Sequence, residues 1–278
     1  MDDAAPFGTY APHGLVRWAV ETARKLPDSW AARRLVILLR RVATGRLRGA
    51  PVDVEALGAR MRLHPYNNIC EKKMLFTPAT FDSEELGILA ARLRDGFVFI
   101  DVGANIGAYS LFVAARTGPS ARILAVEPQP HVYDRLVRNI RLNQFATIKA
   151  IDCAVADKTG DLTLFLDTRN SGESSVKVVT SGGAAGIRVS AKTLLSLVQE
   201  EGFQRIDAMK LDVEGAEDLI LEPFFAEAPD ELHPSLLIVE DGSPQWQVDV
   251  PGLLQRHGYR LLAKTRLNYV FDRGQPAA

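Results

Sequence analysis

The sequence predicts an α/β fold: a doubly wound, Rossmann-like sheet of seven strands, with an antiparallel hairpin at its C-terminal edge and a helical extension at its N-terminus. Three observations predict it. From residue 97 onward short apolar runs alternate with helical patterns, the mark of a parallel sheet covered on both faces. The first run closes in the glycine turn D-V-G-A-N-I-G at 101–107. Acidic residues recur at the ends of the successive runs, where ligands of open α/β sheets bind.

In chain order, residues 14–25 and 29–45 carry helical periodicity, and Arg33, Arg34, Arg40, Arg41, Arg46 and Arg48 crowd the second segment around Leu35 to Leu39. Residues 1–50 therefore read as a basic helical extension. It either docks on the core or touches a partner or an anionic membrane surface through residues 29–48. Residues 51–95 read as a hairpin or edge strand over 52–63, a loop at His64 to Asn68, and a helix over 83–94 opened by a capping pattern of Asp82 with Glu85. The remaining unit, 96–278, predicts strands near 97–102, 121–126, 148–153, 206–212 and 236–240. Helices fall near 106–117, 131–143, 192–201, 216–226 and 249–257. An extra strand is expected at 162–166, a polar glycine-rich loop at 168–186, and two closing strands at 259–264 and 268–271.

Composition narrows the function classes. The chain has 278 residues, 47% hydrophobic and 24% charged, enough for a sizeable core. Lys plus Arg number 33 against 34 acidic residues, so no basic balance points to a nucleic-acid partner. No apolar run reaches membrane-spanning length, and the first residues do not read as a secretion signal. Two cysteines, Cys70 and Cys153, make neither a disulfide framework nor a zinc spacing, and a reducing cytoplasmic compartment is the expectation.

The glycine turn narrows the cofactor. With no glycine at 105 the GxGxxG fingerprint of dinucleotides is not met. Glu127-Pro128 closes the second strand, where a carboxylate accepts the hydrogen bonds of a ribose diol. Asp101 offers an acceptor for an ammonium, and the turn of Gly103, Ala104, Asn105, Ile106 and Gly107 offers N–H donors for a carboxylate. That set suits S-adenosylmethionine, although the two glycines taken alone also fit tight packing of a helix on a strand. Further acids, Asp152, Asp212, Glu214, Glu240 and Asp241, fall at or just past strand ends. In M-K-L-D-V-E-G-A-E at 209–217, alternation puts Lys210, Asp212 and Glu214 on one face, which only a paired network makes tolerable. Glu217 and Asp218 suit the dipole of the following helix. His131 and His233 read as surface or capping residues.

These motifs resemble those of the FkbM family of S-adenosylmethionine-dependent methyltransferases: D-V-G-A-N-I-G-A-Y-S at 101–110, Glu127-Pro128, N-I-R-L-N at 139–143, Ser174-Ser175, and K-L-D-V-E-G-A-E at 210–217. The resemblance spans about 67–271 and leaves out the first fifty residues. It implies a class I methyltransferase sheet, with the methionine moiety at 103–107, the ribose on Glu127 and adenine beside Cys153 and Ala154. It further implies O-methylation of a hydroxyl on a sugar, glycan or secondary metabolite, releasing S-adenosylhomocysteine. A hydroxyl must lose its proton as it attacks, so Asp212 and Glu214 are the candidate base or substrate anchor, with Lys210 tuning their charge and Glu240 facing them. Asn170, Ser174 and Ser175 are candidates for the acceptor pocket. A divalent metal on Asp212, Glu240 and Asp241 is possible in principle but not favoured, for the sequence holds no dedicated ligand loop.

Three rival readings remain. An NAD-dependent oxidoreductase would share the fold, but the missing central glycine and the 210–217 motif oppose it. A nucleic-acid amino-methyltransferase would need Asn or Asp followed by Pro-Pro-aromatic, which is absent. A non-catalytic cofactor-binding protein would be expected to have lost Glu127 or the charges at 210–214.

Overall fold

Helices α1 (Gly14–Lys25) and α2 (Trp30–Leu47) open the chain and are followed by the antiparallel hairpin of β1 (Val52–Ala56) and β2 (Ala59–Leu63). A computed structural model describes residues 5–166, 174–175 and 186–274. Helices α3 (Ile69–Phe76) and α4 (Ser83–Ala90) lead into β3 (Val98–Val102). Next come α5 (Ala108–Ala114), β4 (Arg122–Val126), α6 (Pro130–Arg141) and β5 (Ile148–Ile151). Four short strands follow, β6 (Ala154–Val155), β7 (Gly160–Leu166), β8 (Ser174–Ser175) and β9 (Gly186–Lys192). The chain then continues through α7 (Leu194–Glu200), β10 (Ala208–Leu211), α8 (Glu217–Glu227), β11 (Leu236–Glu240), α9 (Val250–Arg256), β12 (Arg260–Lys264) and β13 (Asn268–Asp272).

The main sheet has seven strands in the order β12-β13-β11-β10-β3-β4-β5. Strands β11, β10, β3, β4 and β5 run parallel, while β13 is antiparallel to both β11 and β12. The strand order reverses between β3 and β10, the switch point where strand ends splay to leave a crevice. Alternation sorts the side chains. Phe99, Ala208 and Ile238 join a core with α1 to α5, whereas Ile100, Met209 and Leu237 join one with α7, α8 and α9. The basic extension thus shares its core with the sheet through Val16, Val20, Val36 and Leu39. No helix among the described residues is long and apolar enough to cross a membrane.

Several boundaries depart from the sequence expectation. The helix expected over 83–94 ends at Ala90, and Asp82, at φ 40°, makes no capping bond from its side chain. Glu85 instead accepts from Asn268 Nδ2 at 2.8 Å, linking α4 to β13. Strand β9 fills the interval between the loop expected to end at residue 186 and the helix expected to begin near 192, where no element was expected. The alternation of Ile187, Val189 and Ala191 is short and sits beside glycine-rich sequence, and it pairs with β7 and β6 in a second, four-stranded sheet. Helix α3 was not anticipated at all; it is one eight-residue segment capped by the Asn68 side chain, which accepts from Glu71 N–H at 3.2 Å.

The asparagines at the ends of N-I-R-L-N are structural. Asn139 accepts from Arg62 N–H at 2.8 Å and donates to the Ile106 carbonyl at 3.1 Å, so one buried amide ties the edge of β2 to the glycine turn. Asn143 makes the matching pair with Arg60, accepting from its N–H and donating to its carbonyl, each at 2.9 Å. Glu217 and Asp218 do more than face a helix dipole. Glu217 accepts from Val213 N–H, Gly215 N–H and Trp246 Nε1, and Asp218 accepts from Gln247 N–H. They fasten the loop after β11. His233 is buried against Phe225 and His257, not on the surface.

Candidate active site

A cleft, partly open to solvent, lies beyond the carboxyl ends of β3, β4, β10 and β11. Its first side is the glycine turn. Gly103 and Ala104 N–H both donate to the Val126 carbonyl at 2.9 Å, holding the turn against the end of β4. Gly103 has φ 74°, and a Cβ there would stand 1.9 Å from the Asp212 carbonyl oxygen. Gly107 has φ 89°, and its Cβ would stand 2.7 Å from Leu136 of α6. Both glycines answer to backbone conformation and close packing. Ile106 is fully buried, and neither it nor Gly107 lines the cleft, whereas Asp101, Gly103, Ala104, Asn105, Glu127, Pro128, Cys153 and Ala154 all do.

Glu127 is only 5% exposed, and its two oxygens accept from Asn105 N–H and Gln129 N–H, each at 2.9 Å. Asn105 can present its N–H because it adopts φ 51°, while its own side chain accepts from Ile106 N–H and from Asn68 Nδ2. Burial outweighs those bonds and lifts the Glu127 carboxyl to about 7. Asp101 is fixed by Ser110, whose N–H and hydroxyl both donate to its Oδ2, at 3.1 and 2.7 Å. Burial raises its pKa as well, against the pull of Ser110 and Lys210.

The opposite side is charged. Lys210 lies beside Asp101 in the β10–β3 register and is 3% exposed. Its ammonium pairs with Asp212 and sits 5.0 Å from the Tyr109 ring centroid. One carboxylate oxygen each from Asp212, Glu214 and Glu240 lies within 4.8 Å of the others. Three acids that close cannot all stay ionised. Burial and the neighbouring Asp212 drive Glu240 well above the carboxylate range. Burial opposes ionisation of Asp212 too, but Lys210 and the Glu240 hydrogen bond hold it below its ordinary value. Glu240 thus carries a proton towards an ionised Asp212, and its Oε2 is buried without a hydrogen-bond partner among the described residues.

Sequence reasoning missed a third group. Asn68, Ile69, Cys70, Lys73, Phe81 and Asp82 line the cleft from α3 and the start of α4. Asp82 accepts from the Tyr109 hydroxyl at 3.1 Å and lies 3.9 Å from Lys73. The left-handed Asp82 turns that carboxylate into the cleft, and a capping pattern in the sequence hid it. Two expected acids are elsewhere: Asp152 is exposed, and Asp241 pairs with Lys264 at 2.7 Å, so the third carboxylate beside Asp212 and Glu240 is Glu214. Asn170 lies outside the described residues. Ser174 and Ser175 form β8, paired with Leu166 and Phe165 of β7.

A family model described as the methyltransferase FkbM domain matches residues 101–261. Among curated proteins, methyltransferase sdnD of Sordaria araneosa is 31% identical over 220 residues, covering 67% of this chain and 80% of that protein. The 31-O-demethyl-FK506 methyltransferase FkbM of Streptomyces tacrolimicus is 27% identical over 207 residues, covering 62% and 76%. A solved structure of M. jannaschii TYW2 in complex with AdoMet overlaps 80% of this chain and 86% of that one, with a TM-score of 0.40 and 13% identity.

Proposed function

The chain belongs to the FkbM family of S-adenosylmethionine-dependent methyltransferases, and we propose that it methylates a hydroxyl oxygen of a sugar, glycan or secondary metabolite. One observation carries the reading: in a single cleft, carboxylates suited to a sulfonium donor face an ionised carboxylate suited to a hydroxyl proton. The printed name of the Streptomyces relative specifies an oxygen acceptor, which supports the same class of reaction here.

The residues fit the donor. Glu127 has no ion pair among the described residues and meets the cleft between two backbone amides, an environment that ribose hydroxyls complete by donation. Asp101, oriented by Ser110, suits the ammonium of the methionine portion, and Cys153 and Ala154 offer an apolar edge to adenine. When bound, the donor supplies an electrophilic methyl and leaves as S-adenosylhomocysteine. The chain's own part is to orient the acceptor and take its proton. Asp212 accepts that proton as the acceptor oxygen forms its bond to carbon. Lys210 keeps Asp212 ionised beforehand, and Glu240, sharing a proton with it, holds that carboxylate in place beside the acceptor. Asp212, Glu214 and Glu240 are also spaced for a hard divalent cation, but the Lys210 ammonium already occupies one side of Asp212, which favours proton transfer.

Incubation with labelled methyl donor and a panel of hydroxyl-bearing glycans and metabolites tests this, with mass spectrometry locating the methyl group. The expected result is an O-methyl product whose formation survives EDTA. Label on nitrogen or carbon, or none at all, sinks the assignment, and loss on chelation replaces the proton-transfer scheme with a metal-assisted one.

A further inference from the structure

The N-terminal extension lies outside the residues matched by the family model and touches no part of the cleft, yet it bears the chain's most unusual surface. Of the ten large hydrophobic side chains exposed among the described residues, six belong to α1 and α2: Leu15, Trp18, Trp30, Leu35, Ile37 and Leu38. Helix α2 buries Ala32, Val36, Leu39 and Ala43 against the core. At 100° per residue, the face opposite that stripe holds Trp30, Arg34, Ile37, Leu38, Arg41 and Gly45. A solvated face should be polar throughout, but here Trp30 is 74% exposed and Leu38 57%. The outer face of α1 adds Trp18 at 55%.

Charge says what covers this face. Residues 14–50 hold nine arginines and lysines against two acids, in a chain whose net charge is -1. Helix α2 itself has five arginines and no acidic residue. Arg34 stacks over the Trp30 ring at 5.1 Å, so cation and aromatic project together. Apolar groups interleaved with guanidinium groups match the boundary between acyl chains and anionic headgroups, where tryptophan concentrates. A second copy of the face would set arginine against arginine. A nucleic acid would leave Leu38 and Ile37 without partners.

We propose that α1 and α2 form a peripheral docking surface for an anionic membrane, with Trp30, Ile37 and Leu38 entering the interface while Arg34 and Arg41 meet the headgroups. The inference is independent of the acceptor assigned to the cleft. The full chain is sedimented with phosphatidylcholine vesicles with and without phosphatidylglycerol, and tryptophan emission is recorded. Binding is expected to the anionic vesicles alone, with a blue shift, and to weaken as salt rises. Trp30→Ser with Leu38→Ser, and separately Arg34→Gln with Arg41→Gln, should each weaken it about tenfold. Circular dichroism and methyl transfer to a free acceptor should stay unchanged, since these side chains are exposed and remote from the cleft. Absence of binding, equal binding to neutral vesicles, or indifference to both double variants overturns the proposal. So does a dimer that Leu38→Ser dissociates, or capture of an acidic protein in place of the vesicles.

Discussion

The two sides of the cleft are built in different ways. On the side proposed for the donor, Asp101, Gly103, Asn105 and Glu127 come from two adjacent parallel strands and the turns that leave them, and Glu127 is satisfied by backbone amides. On the side proposed for the acceptor, Asp82, Tyr109, Lys210, Asp212 and Glu240 come from four separate segments, and they are satisfied chiefly by one another. A site made of backbone donors works alike whatever surrounds it, because a strand end and a turn fix its geometry locally. A site made of mutually paired charges changes with any one member, since each sets the protonation of the rest. A shared donor with variable acceptors is what such a division permits.

The sharpest way to break the comparison is Asp212→Asn. Turnover should fall about 10²–10⁴-fold in labelled-methyl assays, while calorimetry finds donor affinity unchanged, because no donor-side bond passes through that carboxylate. A parallel loss of donor affinity would show that the two sides are one. The mirror experiment is Glu127→Ala, which should weaken donor binding about a hundredfold through the loss of two hydrogen bonds to a carboxylate. Circular dichroism should report the fold intact. Asp82→Asn probes the acceptor side where sequence gave no warning: KM for the acceptor should rise about fivefold, with donor affinity untouched.

The smallest effect lies in pH. The Glu127 carboxyl is raised from 4.5 to about 7 by burial, so the ligand-free folded chain binds a proton there that the unfolded chain has released. Its contribution to stability is full below about 4.5 and is lost as pH rises through about 7. Denaturant titrations across that window should show a decline that Glu127→Gln flattens by about 1 kcal/mol per pH unit or less. An unaltered slope in the variant would assign the decline elsewhere, for instance to Glu71, whose carboxyl burial also lifts to about 7.

Much of this was legible because it is periodic or local. Continuous apolar runs gave β3, β4, β10 and β11 to within about two residues, and the acids at or just past their ends gave five members of the cleft: Asp101, Glu127, Asp212, Glu214 and Glu240. The legible part stops where a residue's role depends on a distant partner. Asp82 reads as a helix cap in sequence, but its backbone is left-handed and its side chain receives the Tyr109 hydroxyl, twenty-seven positions away. Asp241 looks equivalent to Glu240, its neighbour, until Lys264 of β12 claims it. Helix α3 has too few turns for a hydrophobic period to stand out, so Asn68 and Lys73 could not be assigned to the cleft.

By itself the sequence determined the sheet, the glycine turn after β3 and the carboxylates at the strand ends, for strand period, turn conformation and strand-end placement are properties of contiguous residues. Tertiary structure alone decided which of those carboxylates meet, which of them keeps its proton and which segment from outside the family match closes the cleft. Those outcomes depend on burial and on charges brought within a few ångströms from remote parts of the chain, and no window of neighbouring residues contains them.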